Sequence, residues 1–478
     1  MNIIQSFFNK RITPQNLNYR GGYLSSFVFW LSIAYSCLLL KRNNPTLRLL
    51  FYGNETIVHI LKDLFKLPYD KYYICDYNGD YNEWFYCWPK ILTYQRQKEP
   101  FIHIDSDIFM WTPIPEALLK APLVAQHKER DSNFYREVFN EIKKDNIQLP
   151  QYIMQHCIGD KYISSFNAGI IGGNDLLFLQ RYINIINFVS KNKGNLEKAS
   201  RKFLYNVVFE QWLYYGMTTF EHKEVCTYYK KVITDFDMQD ATVPTQTVSG
   251  TPLKYMHVME YKDNIRCNRF IVYNMLNDFP KEYKQILTAC AEIGIDCPIF
   301  SSDLVSKKSL RLEKLKSLTN LTKLESEELN AYETLKENYK NSFLKNRKEL
   351  IKIQQHQIQM VKMLQKSLIS DEHKIEMELS HTLKIIECKE SLLDLLVFKS
   401  KHHKASKCIL WVYNPILNKV DEFVWSYKKV QFLKELLREE NANLLLLQAY
   451  GKALEIDSDL NTFIRQCVFD GIINIEKK

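Results

Sequence analysis

The sequence predicts an α/β fold over residues 1–298, with a mostly parallel sheet flanked by helices. Three observations carry that prediction. Apolar runs of strand length alternate with helix-period segments from Asn2 to Ile104, the pattern of a parallel sheet with crossover helices. Breakers crowd this part of the chain: of 14 glycines and 14 prolines, only Gly451, Gly471 and Pro415 lie beyond residue 300. Residues 301–400 contain neither, which implies long helices there. The predicted organisation is an α/β domain at 1–298, an all-α hairpin or coiled-coil arm at 299–404 and a small α+β module at 405–478.

Composition narrows the classes further. The chain has 478 residues, 46% hydrophobic and 13% aromatic, too apolar to remain disordered. No period of solenoid length recurs. The net charge of +9 is spread thinly, without a long Lys/Arg block, so nucleic acid is not an expected partner. Eleven cysteines occur without a CxxC pair. That pattern fits reduced, buried thiols and a cytoplasmic location rather than a disulfide framework.

The elements follow in order. Asn2–Phe8 is a short strand. Tyr23–Leu40 carries no charge and approaches the length of a membrane span. It is interrupted by Ser25, Ser26, Ser32 and Ser36 and followed closely by the strand Leu47–Tyr52. A buried first helix therefore fits better than membrane insertion. A helix around Glu55–Phe65, a strand at Lys71–Cys75 and a helical stretch at Asn82–Arg96 lead to Pro100–Ile104, PFIHI.

In the arm, Leu329, Tyr332, Tyr339, Phe343, Leu350, Ile353, Met360 and Leu364 recur in steps of one helix face. Ser370 and Asp371 could cap a second helix, Glu372–Phe398. Such an arm also offers a surface for homodimerisation. Beyond it, Lys407–Tyr413 and Glu422–Tyr427 read as strands joined at Asn414–Pro415. Helical patterns follow at Val430–Glu440, Ala442–Gly451 and Leu460–Phe469, then a last strand at Gly471–Ile475. This set suggests a winged-helix-like module that takes a peptide or protein.

Chemistry is expected at the carboxyl ends of the strands. There the run Phe101–Ile104 ends in Asp105-Ser106-Asp107. Alternate residues of an extended segment point the same way, so both carboxylates can approach one hard cation, Mn²⁺ or Mg²⁺. Asp235-Phe236-Asp237 has the same spacing without the long apolar lead, and Asp76–Asp80 resembles only the start of a calcium loop. Further along come Ser165-Phe166-Asn167-Ala168-Gly169, with Gly172-Gly173 beyond it, and then Phe209-Glu210-Gln211 on a helix. Small residues permit close approach of backbone to a ligand. His257, in the strand-like LKYMHVMEYK, is a candidate third metal ligand, and Lys262 a candidate phosphate-neutralising cation.

This ordered set resembles the GT-A fold glycosyltransferases, especially the retaining families that include glycogenin and the bacterial lipopolysaccharide galactosyltransferases. The resemblance covers roughly residues 1–275. It implies that Asp105, Asp107 and His257 hold the metal, with Ser106 between the carboxylates. Asn167, Ala168 and Gly169 would line the donor sugar, and Ser6 and Phe7 would lie near the nucleotide base. Lys262 would meet the diphosphate. Glu210 or Gln211 would face the anomeric carbon, and the Gly172-Gly173 pair favours Glu210. Met259 and Glu260 depart from the glycogenin-like spacing ahead of Lys262.

The resulting expectation is a metal-dependent glycosyltransferase. It would use a nucleotide diphosphate sugar, UDP-linked, and a peptide or protein acceptor recruited by the C-terminal region. Two rivals share the same residues: a non-catalytic sugar-nucleotide-binding scaffold, and a metal-dependent nucleotidyl or phosphoryl transferase.

Overall fold

The computed structural model describes residues 1–75, 77, 84–130, 133–159, 162–185, 194–199, 201–234, 254–263, 265–295, 323–344, 375–380, 382–387, 407–414, 419–438, 463, 467–468 and 470–477. In chain order the strands are β1 Asn2–Phe7, β2 Arg48–Gly53, β3 Lys71–Ile74, β4 Phe101–Ile104, β5 Ile108–Met110, β6 Leu123–Arg130, β7 Ser164–Gly173, β8 Val225–Thr227 and β9 Tyr255–His257. They are followed by β10 Ile375–Leu379, β11 Leu383–Glu387, β12 Lys407–Asn414, β13 Lys419–Ser426 and β14 Ile473–Lys477.

Seven strands form the main sheet in the order β3-β2-β1-β4-β7-β6-β8. β3, β2, β1 and β4 run parallel, as do β6 and β8. Only β7 is reversed against its neighbours β4 and β6. The predicted mixed α/β, mostly parallel sheet is therefore present. Every residue of β7 is buried, as expected of a strand in the sheet interior.

Parallel neighbours need crossovers, and the segment Ser26–Asn43 supplies the first. Its N-terminus is capped by Ser25 Oγ, which accepts from Val28 N–H, and Lys41 and Arg42 sit in its last turn. Apolar residues line all its faces, and Trp30, Leu31 and Tyr35 are fully buried. No helix among the described residues is long and apolar enough to cross a membrane. The second crossover begins as Glu55–His59 and continues as a π-helical turn, Ile60–Leu64. The helix before β4 spans Cys87–Gln95. The nine described cysteines are free thiols, and only Cys226 among them is not buried.

The chain divides into two compact units that interleave in sequence. One comprises Met1–Val243, Leu253–Asp263 and Phe279–Ile295. The other comprises Pro244–Pro252, Asn264–Asp278 and Asp296–Lys478.

The second unit departs from expectation. Where a helix Glu372–Phe398 was predicted, the chain forms β10 and β11. β10 pairs with β14, and β11 pairs with β12 to extend the β12–β13 hairpin. The segment is therefore not all-α, and β11 completes the sheet of the hairpin. Absence of Gly and Pro permits a helix but does not demand one. The alternation Ile375, Met377, Leu379 suits a strand with partners available.

The helix Lys323–Leu344 agrees with the predicted periodicity. However, its described stripe packs on a sheet rather than forming a coiled-coil seam. Tyr332 and Tyr339 lie against Trp411, and Phe343 stacks on Tyr413 at 4.7 Å between centroids. A further helix, Tyr427–Arg438, follows the hairpin. Leu350, Ile353, Met360, Leu364, the helix expected at 442–451 and the carboxylates Asp76, Asp80, Asp235 and Asp237 lie outside the described residues.

Candidate metal centre

The site begins with the turn after β4. Asp105 N–H donates to Gly169 O on β7 at 2.9 Å, and Ile108 N–H closes the turn on Asp105 O at 3.1 Å. The chain then enters β5, whose Ile108 is the register partner of His257 on β9. This short ladder carries a residue 150 positions away to the carboxylate pair.

Asp105, Asp107 and His257 each offer one ligand atom, all within 4.8 Å of one another. His257 Nε2 lies 3.4 Å from Asp107 Oδ1. Two carboxylate oxygens and an imidazole nitrogen form a donor set that fits Mn²⁺, with Mg²⁺ as the harder alternative. Ser106 lies between the carboxylates, partly exposed.

Two lysines flank the triad. Lys262 Nζ is 2.8 Å from Asp107 Oδ2. Lys90 Nζ, from the helix Cys87–Gln95, bridges Asp105 Oδ1 at 2.7 Å and Glu210 Oε1 at 2.5 Å. It also donates to Ala168 O at 3.1 Å. Glu210 lies in a π-helical turn, Val208–Trp212, and accepts from Tyr94 OH at 3.2 Å. Such turns are frequent at functional sites.

These charges shape one another. Burial works against the charge of Asp107, but the Lys262 ammonium beside it prevails and holds its pKa below the usual carboxylate range. For Asp105 and Glu210 burial prevails and raises the pKa, although Lys90 opposes it in both. Lys90 itself is raised: burial would lower it, but the two carboxylates outweigh that cost. His103 is buried beneath the turn, with Nε2 2.9 Å from Ser6 Oγ. Burial and the Lys90 charge hold its ring well below its ordinary value, so it is neutral.

The other predicted residues divide into two groups. Ser6 reaches the site through His103. Phe7 packs its ring on Phe29 and Tyr19, at 5.2 and 6.2 Å between centroids. Asn167 turns inward: its Nδ2 donates to Glu129 Oε1 at 2.7 Å and its Oδ1 accepts from Gly169 N–H at 3.0 Å. Gln211 Oε1 lies 2.7 Å from Tyr135 OH, and Glu210, not Gln211, stands beside Lys90 and Asp105.

Gly169 serves a close approach. A Cβ there would meet Gln126 Oε1 at 2.2 Å and His257 Cε1 at 2.6 Å. Gly172 and Gly173 pack against the backbone of Phe101 and Pro122, at the end of β4 opposite Asp105. Their small size serves strand packing rather than a ligand, which removes the sequence basis for using that pair to choose between Glu210 and Gln211.

Sequence reasoning did not single out Lys90, His103, Gln126, His127 or Glu129. No motif flags Lys90. The His127/Glu129 alternation on β6 gains meaning only through strand pairing.

Solved structures with some likeness include mouse xyloside xylosyltransferase 1, apo form, with 10% identity and a TM-score of 0.30, covering 55% of this chain and 98% of that one. The glycosyltransferase GlyE of Streptococcus pneumoniae TIGR4 shares 14% identity at a TM-score of 0.24, covering 46% and 49%. The galactosyltransferase LgtC, in complex with donor and acceptor sugar analogs, shares 10% at 0.23, covering 44% and 70%. These scores are too low to assign a fold or an activity. No curated protein matches the sequence. Residues 1–289 match the family model DUF6734, described as a family of unknown function, and the chain belongs to that family.

Proposed function

We propose that this protein is a metal-dependent glycosyltransferase of the GT-A kind, moving a sugar from a nucleotide diphosphate sugar, UDP-linked, to an acceptor. The observation that carries the reading is the convergence of Asp105, Asp107 and His257 at the carboxyl end of β4, with Lys90, Lys262 and Glu210 alongside. Asp105, Asp107 and His257 would hold Mn²⁺. When bound, that ion neutralises the diphosphate and stabilises it as a leaving group.

Charge supports an anionic ligand. Three carboxylates and two ammonium groups leave the cluster slightly negative, and a divalent cation makes it positive. Lys262 then binds the diphosphate, and Lys90 holds Glu210 and Asp105 in place. Glu210 faces the anomeric carbon. The C-terminal region, residues 299–478, recruits a peptide or protein acceptor.

Purified protein should be incubated with a panel of nucleotide sugars with Mn²⁺, Mg²⁺ or chelator, and released nucleotide measured. Metal-dependent UDP release that Asp105→Asn and Asp107→Asn abolish is the expected result. Full activity in both variants would overturn the site. Release of pyrophosphate would favour nucleotidyl transfer, and calorimetric binding of UDP without turnover would favour a non-catalytic reader.

A further inference from the structure

We propose that a buried relay, Glu129–His127–Gln126, holds the His257 ring with Nδ1 protonated and the Nε2 lone pair turned toward the divalent cation. The proposal rests on the metal reading above and assigns these three as positioning residues. All lie beneath the site on β6: Gln126 and His127 are fully buried, and Glu129 and His257 are each 5% exposed.

Proton directions follow from the one member that can only accept. Glu129 receives three donors: His127 Nε2 at 2.9 Å, Asn167 Nδ2 at 2.7 Å and Tyr135 OH. An ionised carboxylate donates nothing, so the proton between His127 and Glu129 belongs to His127 Nε2. The Nδ1 of a neutral His127 is then an acceptor. The Gln126 atom 3.2 Å from it is Nε2, which donates. The other end of the same amide, Oε1, lies 2.8 Å from His257 Nδ1 and accepts from it. His257 Nε2 is left as a lone pair facing Asp107 Oδ1 at 3.4 Å. Two acceptors so placed are satisfied by a shared cation.

A flipped Gln126 amide would present Nε2 to His257 and Oε1 to His127. His127 would then carry its proton on Nδ1 and face Glu129 acceptor to acceptor. Glu129 therefore selects the amide orientation, and the amide selects the His257 tautomer. Gly169 keeps the contact tight, because no Cβ fits between Gln126 and His257. Partners of this kind commonly orient metal-binding histidines, and their loss costs about 10- to 100-fold in metal affinity.

The tautomer is read without metal or turnover. Ring ¹⁵N shifts of metal-free, ¹⁵N-histidine-labelled protein at about pH 9, where imidazoles are neutral, should show His257 protonated on Nδ1. Protonation on Nε2 in the wild type overturns the relay. In Glu129→Gln the preference should be lost, and an unchanged tautomer in that folded variant also overturns it.

Mn²⁺ titration followed by electron paramagnetic resonance gives the second readout. Gln126→Leu should weaken binding about 10- to 100-fold, with His257→Ala as reference. Weakening in His257→Ala but not in folded Gln126→Leu sinks the relay and leaves the metal site standing. No weakening in His257→Ala sinks both. If Gln126→Leu does not fold, the wild-type tautomer still decides.

Discussion

The ammonium of Lys90 lies 2.5 Å from the carboxylate of Glu210, with both side chains nine-tenths buried or close to it. The same ammonium holds Asp105 at 2.7 Å. Removing one member of such a cluster leaves like charges uncompensated, at a cost of about 3–5 kcal/mol. Lys90→Met should lower the free energy of unfolding by that order in urea melts. Lys90→Met combined with Glu210→Gln should recover part of the loss, since one carboxylate no longer needs a partner. Equal stabilities for wild type and Lys90→Met would mean the bridge is not a structural centre.

Gly169 is the next point of sensitivity. Its missing Cβ would sit 2.2 Å from Gln126 Oε1 and 2.6 Å from His257 Cε1. Both neighbours are buried, so Gly169→Ala must displace one of them. Overpacking of this kind costs about 1–3 kcal/mol. Calorimetric melts should fall accordingly, and Mn²⁺ affinity should drop because His257 moves. A variant with wild-type melting and wild-type Mn²⁺ binding would show that the close approach carries no weight.

Much of this site was legible in the sequence because strands advertise their ends. FIHI followed by Asp-Ser-Asp marked both carboxylates, and His257 stood in a strand-like run. What was hidden depends on pairing. Lys90 sits in CWPKIL with nothing to mark it, and only the fold brings it to Asp105 and Glu210. The FNAG motif was found, but its Asn167 serves Glu129 rather than open space. In the second unit, the absence of Gly and Pro around β10 and β11 points to a helix, whereas the alternation Ile375, Met377, Leu379 points to the strand that forms. Tyr332 and Tyr339 had helical spacing and are helical, but their partner is Trp411 on a strand.

Glu129 gives a pH prediction with a defined sign. Burial would raise its pKa, but the hydrogen bond from His127 and those from Tyr135 and Asn167 prevail and lower it below the ordinary glutamate value of 4.5. A group with a depressed folded pKa stabilises the fold above its unfolded pKa. That contribution is lost as pH falls through the folded value. The stability difference between wild type and Glu129→Gln should therefore be largest near neutrality. It should shrink as pH drops below about 4.5. Urea melts at a series of pH values measure it, and a difference that grows on acidification would reverse the assignment.

Ser36 tests how the first crossover helix supports the metal turn. Its Oγ donates to Ile108 O at 2.5 Å and accepts from Gln5 Nε2 at 2.9 Å. Gln5 Nε2 also reaches Asp105 O at 3.4 Å, and Gln5 Oε1 takes the Tyr69 hydroxyl at 2.7 Å. The serine that interrupts an otherwise membrane-like run thus ties that helix to both ends of the Asp105–Ile108 turn. Ser36→Ala removes a donor and an acceptor at once and leaves buried partners unsatisfied, a loss of about 1–3 kcal/mol. Ser36→Cys, of similar shape with weaker hydrogen bonding, should fall between wild type and alanine. If the hydroxyl sets the turn, Mn²⁺ affinity should follow the same order as stability across the three proteins. Stability that falls while Mn²⁺ affinity holds would confine Ser36 to the core.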